Sequence, residues 1–176
     1  MQLPLAVQLL LRQLPDAAVV PVVTLGKLGH LRPGPGTWGS AVGVLVYTVL
    51  FYPLPFPLQI LLLAPFLIFC LLWCEEGERR LGHKDPSELI LDEVAGQQLA
   101  FFGLGSIIHA SNYPWAYFLA GFALFRFFDI LKPLGIKRLQ NFPGGMGVLV
   151  DDLVAGLAAA VCLGLAHFYL LPLVVE

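Results

Sequence analysis

Charge is scarce in this chain. Asp, Glu, Lys and Arg make up 12% of its residues against 58% hydrophobic ones, where a soluble domain carries about 25% charged and roughly 45–50% apolar residues. The shortage argues against a soluble globule, and a formal net charge of −2 argues against a nucleic-acid binder, which needs a basic footprint. Cysteine is scarce too. Cys70, Cys74 and Cys162 are odd in number and form no ladder of spacings, which excludes a disulfide framework or a zinc site. Each lies in or beside an apolar run, where a thiol behaves as a small hydrophobe. Residues Met1 to Arg12 lack the basic start and small-residue cleavage site of a signal peptide. Internal repeats and low-complexity linkers are lacking as well, so 176 residues read as one domain.

What is abundant is long apolar sequence. Five stretches stand out, Trp38–Tyr52, Phe56–Cys74, Val94–Ile108, Pro114–Phe128 and Val148–Leu171. A full crossing of a bilayer takes about 20 helical residues. The second and fifth stretches satisfy that length. The first, third and fourth are short, and are expected either to extend into their polar flanks or to be re-entrant or packed inside a bundle. The predicted fold is therefore all-α, a multi-helix membrane bundle with about five apolar helices. Before it, Leu3, Val7, Leu10, Leu11 and Leu14 recur at helical spacing. Residues 1–23 are read as a separate amphipathic segment, lying on the membrane surface or packed on the rest, and residues 24–176 as the single membrane domain.

The basic residues give an independent check on topology. Arg12, Lys27 and Arg32 precede the first stretch, and Arg79, Arg80 and Lys84 separate the second from the third. Arg126, Lys132, Lys137 and Arg138 lie at or after the end of the fourth. The alternate connections, Pro53–Pro55 and His109–Tyr113, contain none. With five crossings and a cytoplasmic N-terminus, every Lys and Arg falls inside, the positive-inside pattern. The acidic residues follow, apart from Glu176, so the polar chemistry is expected at the cytoplasmic face.

Two acidic clusters stand where apolar helices begin. In the first, Asp85-Pro86-Ser87-Glu88 has the form of a capping box with proline at the first helical position, which would place Asp92 and Glu93 one to two turns inside the helix. A carboxylate at the centre of a bilayer helix costs roughly 2.5–3.5 kcal/mol, and even near the interface two adjacent ones need a reason. One alternative is that they merely favour the positive end of the helix dipole. In the second cluster, Asp151 and Asp152 follow Gly144-Gly145-Met146-Gly147 and start the longest apolar run. Neighbours on a helix point about 100° apart, so one acid of each pair is able to face a shared centre. Asp92, Glu93, Asp151 and Asp152 thus offer oxygen ligands to a hard cation, and Mg²⁺ suits such a set.

Arg126 and Asp129 are three residues apart and share a helix face. They are either an ion pair that makes a polar patch tolerable near lipid, or a guanidinium fork for phosphate held in place by Asp129. Lys132 is a second candidate phosphate binder. Pro33-Gly34-Pro35-Gly36-Thr37-Trp38-Gly39-Ser40 combines exposed backbone amides with the Thr37 and Ser40 hydroxyls, which fits an anion site or a plain helix cap with Trp38 at the interface. Cys74 and Arg80 match the Cys-x5-Arg spacing of thiolate phosphatases, but Glu75, Glu76 and Glu78 between them would repel phosphate, and that reading is rejected.

These pieces, taken together, resemble the phosphatidylglycerophosphatase A family. The resemblance rests on Pro35 to Ser40, Asp85-Pro86 through Asp92-Glu93-Val94-Ala95-Gly96, Phe125-Arg126-Phe127-Phe128-Asp129 with Lys132-Pro133, Gly144 through Asp151-Asp152, and Ala155-Gly156. They occur in the family's order over about Thr24 to Gly164. The resemblance implies an all-helical enzyme of the bacterial inner membrane that hydrolyses phosphatidylglycerophosphate to phosphatidylglycerol with Mg²⁺. The resemblance does not assign a role to each acid. The mechanism expected from the residues themselves is direct attack by a metal-oriented water, with Asp92, Glu93, Asp151 and Asp152 holding the metal, Arg126 and Lys132 binding the phosphate and Asp129 orienting Arg126. An aspartyl-phosphate intermediate is the alternative. A small cation transporter with intramembrane carboxylates is the alternative from another class, and an inactive membrane scaffold a third. The partners expected are the glycerophospholipid substrate and membrane lipids, and no nucleic acid.

Overall fold

The computed structural model describes residues 5–133, 135–142 and 144–169, and these form helices and turns without a strand. A helix pairs its backbone N–H and C=O groups within one segment, which lipid demands of any lone spanning element. The helices are α1 (Leu5–Gln13), α2 (Asp16–Val23), α3 (Pro35–Val46), α4 (Phe56–Leu81), α5 (Leu91–Leu99), α6 (Gly105–Ala110), α7 (Pro114–Leu131) and α8 (Gly145–Tyr169). Three are long and apolar enough to cross a membrane, namely α4 with 26 residues, α7 with 18 and α8 with 25. The α3 helix runs on through a π turn at Tyr47–Phe51 to make a shorter apolar rod.

The expectation of about five apolar helices needs one correction. The third stretch is not a continuous helix but is divided into α5 and α6 by a turn in which Gly103 adopts φ +77°. The physical reason lies in its position. Every residue of α5 except Glu93 is buried, against α3, α4, α7 and α8. A helix sheathed in protein touches little lipid, so it is free to carry polar Gln97 and Gln98 and to end in a non-helical turn at membrane depth. Its continuation α6 reaches the far end of the bundle, where His109 Nε2 lies 2.8 Å from the Tyr52 carbonyl oxygen.

The start of α5 also differs from expectation. The helix begins at Leu91, not at Pro86, and no capping box forms. Asp85 sits at φ +51°. Its backbone N–H donates to Glu78 Oε1 at 3.1 Å, and its carboxylate accepts from Gln140 Nε2 at 2.7 Å. Asp92 and Glu93 consequently occupy the first turn of α5, where the helix dipole favours negative charge.

Glycines set how closely α5 and α8 approach. A Cβ on Gly156 would stand 2.1 Å from the Gly96 carbonyl oxygen, and one on Gly96 would stand 2.6 Å from that of Asp152. Backbone therefore lies directly on backbone, which draws the two acidic pairs together. At the N-terminal side, α2 packs on α4 with Val23 over Gly77, and Ile90 N–H donates to the Val23 carbonyl at 2.9 Å. In α1, Leu9 and Leu10 are exposed; Leu3 and the side chain of Val7, also part of the amphipathic pattern, lie outside the described residues, as do residues 170 and 171 of the fifth stretch. Cys70 and Cys74 are buried in an apolar cluster with Val23, Leu89 and Val148, as small hydrophobes.

Candidate active site

Four elements deliver polar side chains to one end of the bundle. The first turn of α5 brings Asp92 and Glu93, and the second turn of α8 brings Asp151 and Asp152. The last turns of α7 bring Arg126 and Asp129, with Lys132 at its C-cap, and the first turns of α3 bring Gly36 and Ser40. Asp92, Asp151 and Asp152 are at most 5% exposed, so these acids are lodged between helices and not at a solvated rim.

Asp92, Glu93 and Asp152 form a trio, each offering an oxygen, with these atoms all within 4.8 Å of one another. Within these residues Glu93 Oε2 and Asp152 Oδ2 are buried without a hydrogen-bond partner among the described residues. An unpaired buried carboxylate oxygen is costly, and an all-oxygen set of this kind fits a hard divalent cation. Asp151 is placed differently from its neighbour. It accepts a hydrogen bond from Lys132 Nζ, and Lys132 also lies 3.8 Å from Asp129. Burial pulls the Lys132 ammonium down, but the Asp151 hydrogen bond and the charges of Asp152, Asp151 and Asp129 outweigh it and hold the group above the ordinary lysine value.

Arg126 is pinned from two sides. Its Nη1 donates to Asp129 Oδ2 at 2.5 Å and to Ser40 Oγ at 3.5 Å. The Ser40 hydroxyl donates its own hydrogen to the Gly36 carbonyl at 2.8 Å, so toward Arg126 it serves as an acceptor. Ser40, read from the sequence as a substrate donor, is here a support for the guanidinium. Thr37 is exposed one residue after Gly36. A Cβ on Gly36 would sit 2.2 Å from Glu93 Oε1 and 2.9 Å from Arg126 Nη1, so only glycine leaves room for acid and guanidinium to meet α3 side by side.

The structure thus gathers Asp92, Glu93, Asp152, Arg126, Asp129, Lys132 and Asp151 into one region, with Ser40 behind Arg126. Sequence reasoning missed the part of Gly36, Gly96 and Gly156 in packing the site. Their signal was the glycine that recurs inside or just after each polar cluster. With all acids ionised, five carboxylates face only two cations, a negative excess that a divalent metal offsets. An acidic centre bordered by a guanidinium thus lies at one end of an apolar helical bundle.

Comparison with known proteins carries this further. Residues 21–167 match the family described as Phosphatidylglycerophosphatase A. A Haemophilus influenzae protein named "Phosphatidylglycerophosphatase A" is 34% identical over 145 residues, covering 81% of this chain and 85% of the relative. A protein of the same name from Escherichia coli is 29% identical over 135 residues, covering 76% and 73%. A Bacteroides thetaiotaomicron protein named "Putative phosphatidylinositol-3-phosphatase" is 32% identical over 137 residues, covering 76% and 84%. No solved structure matches. The chain belongs to the phosphatidylglycerophosphatase A family.

Proposed function

We propose that this chain hydrolyses the phosphate monoester of phosphatidylglycerophosphate to give phosphatidylglycerol and inorganic phosphate, with Mg²⁺, at the cytoplasmic face of a bacterial inner membrane. The observation that carries the proposal is the buried trio Asp92, Glu93 and Asp152 in one region with Arg126 at the ends of membrane-type helices. Phosphate monoesters hydrolyse very slowly unaided, so the site must supply electrostatic stabilisation. Asp92, Glu93 and Asp152 would hold the metal, which when bound neutralises the phosphoryl oxygens and eases deprotonation of the attacking water. Arg126 would take phosphoryl oxygens in its planar fork, a reading supported by its contacts with Asp129 and Ser40. Lys132 adds a second positive charge, and Asp151 holds it in place. The water oxygen bonds to phosphorus, the bond from phosphorus to the glycerol oxygen breaks, and that oxygen leaves with a proton as the free hydroxyl of phosphatidylglycerol.

The cytoplasmic placement rests on the segregation of basic residues. A cation transporter would use the acids but would have no need of Arg126 and Lys132 beside them. The name of the Bacteroides relative makes a phosphoinositide 3-phosphate a second substrate worth assaying. The test is phosphate release by purified protein in detergent from each lipid monoester, with Mg²⁺, with EDTA, and with Mg²⁺ restored. Release that stops in EDTA and returns with Mg²⁺ supports the proposal. Full activity in EDTA rejects the metal, and preferential release from the inositol lipid rejects the proposed substrate.

A further inference from the structure

The Arg126 fork is only partly engaged. Nη1 carries both of its hydrogen bonds, to Asp129 and Ser40, and Nε is buried, whereas Nη2 bonds to no described residue and is not among the buried atoms. The side chain as a whole is 15% exposed. The side on which it is exposed follows from the helices that carry it. Arg126 and Ser40 meet across a seam between α7 and α3, and α5 lies behind that seam, against Gly36, Gly39 and Gly43 of α3. Successive residues of a helix turn by about 100°. Around α3, past Ser40 and away from those glycines, Thr37 and then Ala41 come next. Around α7, past Arg126 and away from the buried Tyr117, Gly121 and Phe125, Ile130 and then Ala123 come next. All four of these bordering residues are exposed. The outer side of the seam at the level of Arg126 is therefore uncovered.

The charge on these two helices is as selective as the exposure. The α3 helix has no charged residue, and α7 has only Arg126 and Asp129, of which Asp129 is buried. One partly open cation thus stands at the edge of an apolar surface, continued by Leu45 on α3 and Leu119 on α7, both 61% exposed. Such a surface in a helical membrane protein faces acyl chains, and an arginine set in it is expensive unless it meets an anion or reaches the interface. The molecule complementary to both features is an amphiphile, with an anionic phosphate for the open arm of the fork and apolar chains for the exposed helix faces. We propose that the outer side of the α3–α7 seam is the lateral entry through which a diacyl lipid phosphate monoester reaches the site from within the membrane. Its phosphate passes between Thr37 and Ala41 on one side and Ala123 and Ile130 on the other to reach Arg126 Nη2, while its acyl chains lie along α3 and α7. The inference rests on the reading of Arg126 as the phosphate-binding group of a lipid phosphatase.

The test places wedges in the seam of the full-length protein. Ala41→Trp and Ala123→Trp add bulk at exposed positions, and Val161→Trp, on an exposed position of α8, is the control. Phosphate release is followed over a range of lipid mole fractions, with thermal unfolding on the same preparations. Each seam wedge is expected to lower kcat/KM about 10-fold, the scale of overpacking a fitted contact, mostly through KM, and Val161→Trp is expected to behave as the wild type. A second measurement does not depend on how the wedges fold. Ala123→Cys is combined with Cys162→Ala, which leaves only the buried Cys70 and Cys74, and is labelled with a lipid-soluble maleimide. A diacyl lipid phosphonate should slow the labelling several-fold, and inorganic phosphate should not. Wild-type kcat/KM in both folded seam wedges, an equal fall in Val161→Trp, or labelling indifferent to the lipid phosphonate would each overturn the inference. Failure of the wild type to release phosphate from any lipid monoester would instead overturn the functional reading beneath it.

Discussion

Two clusters of charge among the described residues are built on opposite plans. The first joins α1, α2 and α4. Arg80 donates to Glu76 at 2.6 Å, to Asp16, and to the carbonyls of Arg12 and Leu14 at 3.1 and 2.8 Å, while Arg79 donates to Glu76 at 2.5 and 3.0 Å. Two arginines meet two acids, no side-chain atom of the four is left buried and unpaired, and the turn between α1 and α2 is fastened to α4. The second cluster has five carboxylates for two cations and leaves buried oxygens of Glu93, Asp151 and Asp152 unpaired. A balanced, closed network has finished its work once the chain is folded. An acid-rich, open one leaves buried oxygens unpaired at a cost to stability, and charge alone in the sequence does not tell the two apart.

The sharpest break in this comparison is Asp152→Asn or Asp92→Asn. Activity should fall by roughly 10³-fold or more, since each removes a charge from the trio proposed to hold the metal. The thermal midpoint without metal should hold or rise, because like-charge repulsion is relieved. Phosphate release and unfolding on one preparation check both. Wild-type rates in both variants would leave the acids structural.

Arg126→Lys comes next, with a loss of roughly 10²-fold in kcat/KM, because an ammonium does not reproduce the planar fork. The double change Arg126→Leu with Asp129→Leu separates phosphate ligand from ion-pair partner. It removes both charges, so no buried ion is left unpaired, and the folded protein should remain inactive. Recovery of activity would reduce the pair to a structural role.

A smaller effect is expected at Gly36→Ala. Its Cβ would press on Glu93 Oε1 and Arg126 Nη1, both ends of flexible side chains, so the fold should survive while the carboxylate and guanidinium shift. The expected loss reaches up to about 10²-fold, the scale of misplacing a catalytic group by an ångström. An unchanged kcat would show that the close fit of α3 is dispensable.

The balanced cluster should give the least effect on catalysis. Glu76→Gln removes the acid that Arg79 and Arg80 share, so the protein should unfold earlier, with unchanged phosphate release per folded molecule. A drop in kcat/KM in the folded variant would tie this cluster to the site and erase the contrast between the two.

Much of this was legible before any coordinates. Composition set the membrane character, and the periods of apolar sequence placed α4, α7 and α8. The acids, Arg126, Asp129 and Lys132 stood out because charge in an apolar setting is expensive. Less legible was the third stretch, where the apolar run hides a turn at Gly103 and a helix buried in protein. Hydropathy reports that a residue avoids water, and it does not report whether lipid or protein takes the water's place. The Asp85-Pro86 capping pattern misled for a related reason. A local signal was overridden by tertiary bonds from Asp85 to Glu78 and Gln140.

The sequence by itself determined which residues carry charge into the apolar phase and, through the alternation of basic and neutral connections, the expected side of the membrane they share. Both follow from one-dimensional spacing and transfer free energies. Only the tertiary structure decided how those residues divide their work. It set Asp152 with Asp92 and Glu93 but handed the adjacent Asp151 to Lys132, turned Ser40 toward Arg126, and left Gln97 buried and unpaired. Pairing depends on how close two helices come and how each is rotated. At α5 and α8 that is set by Gly96 and Gly156 lying backbone to backbone, a contact that joins residues 60 positions apart.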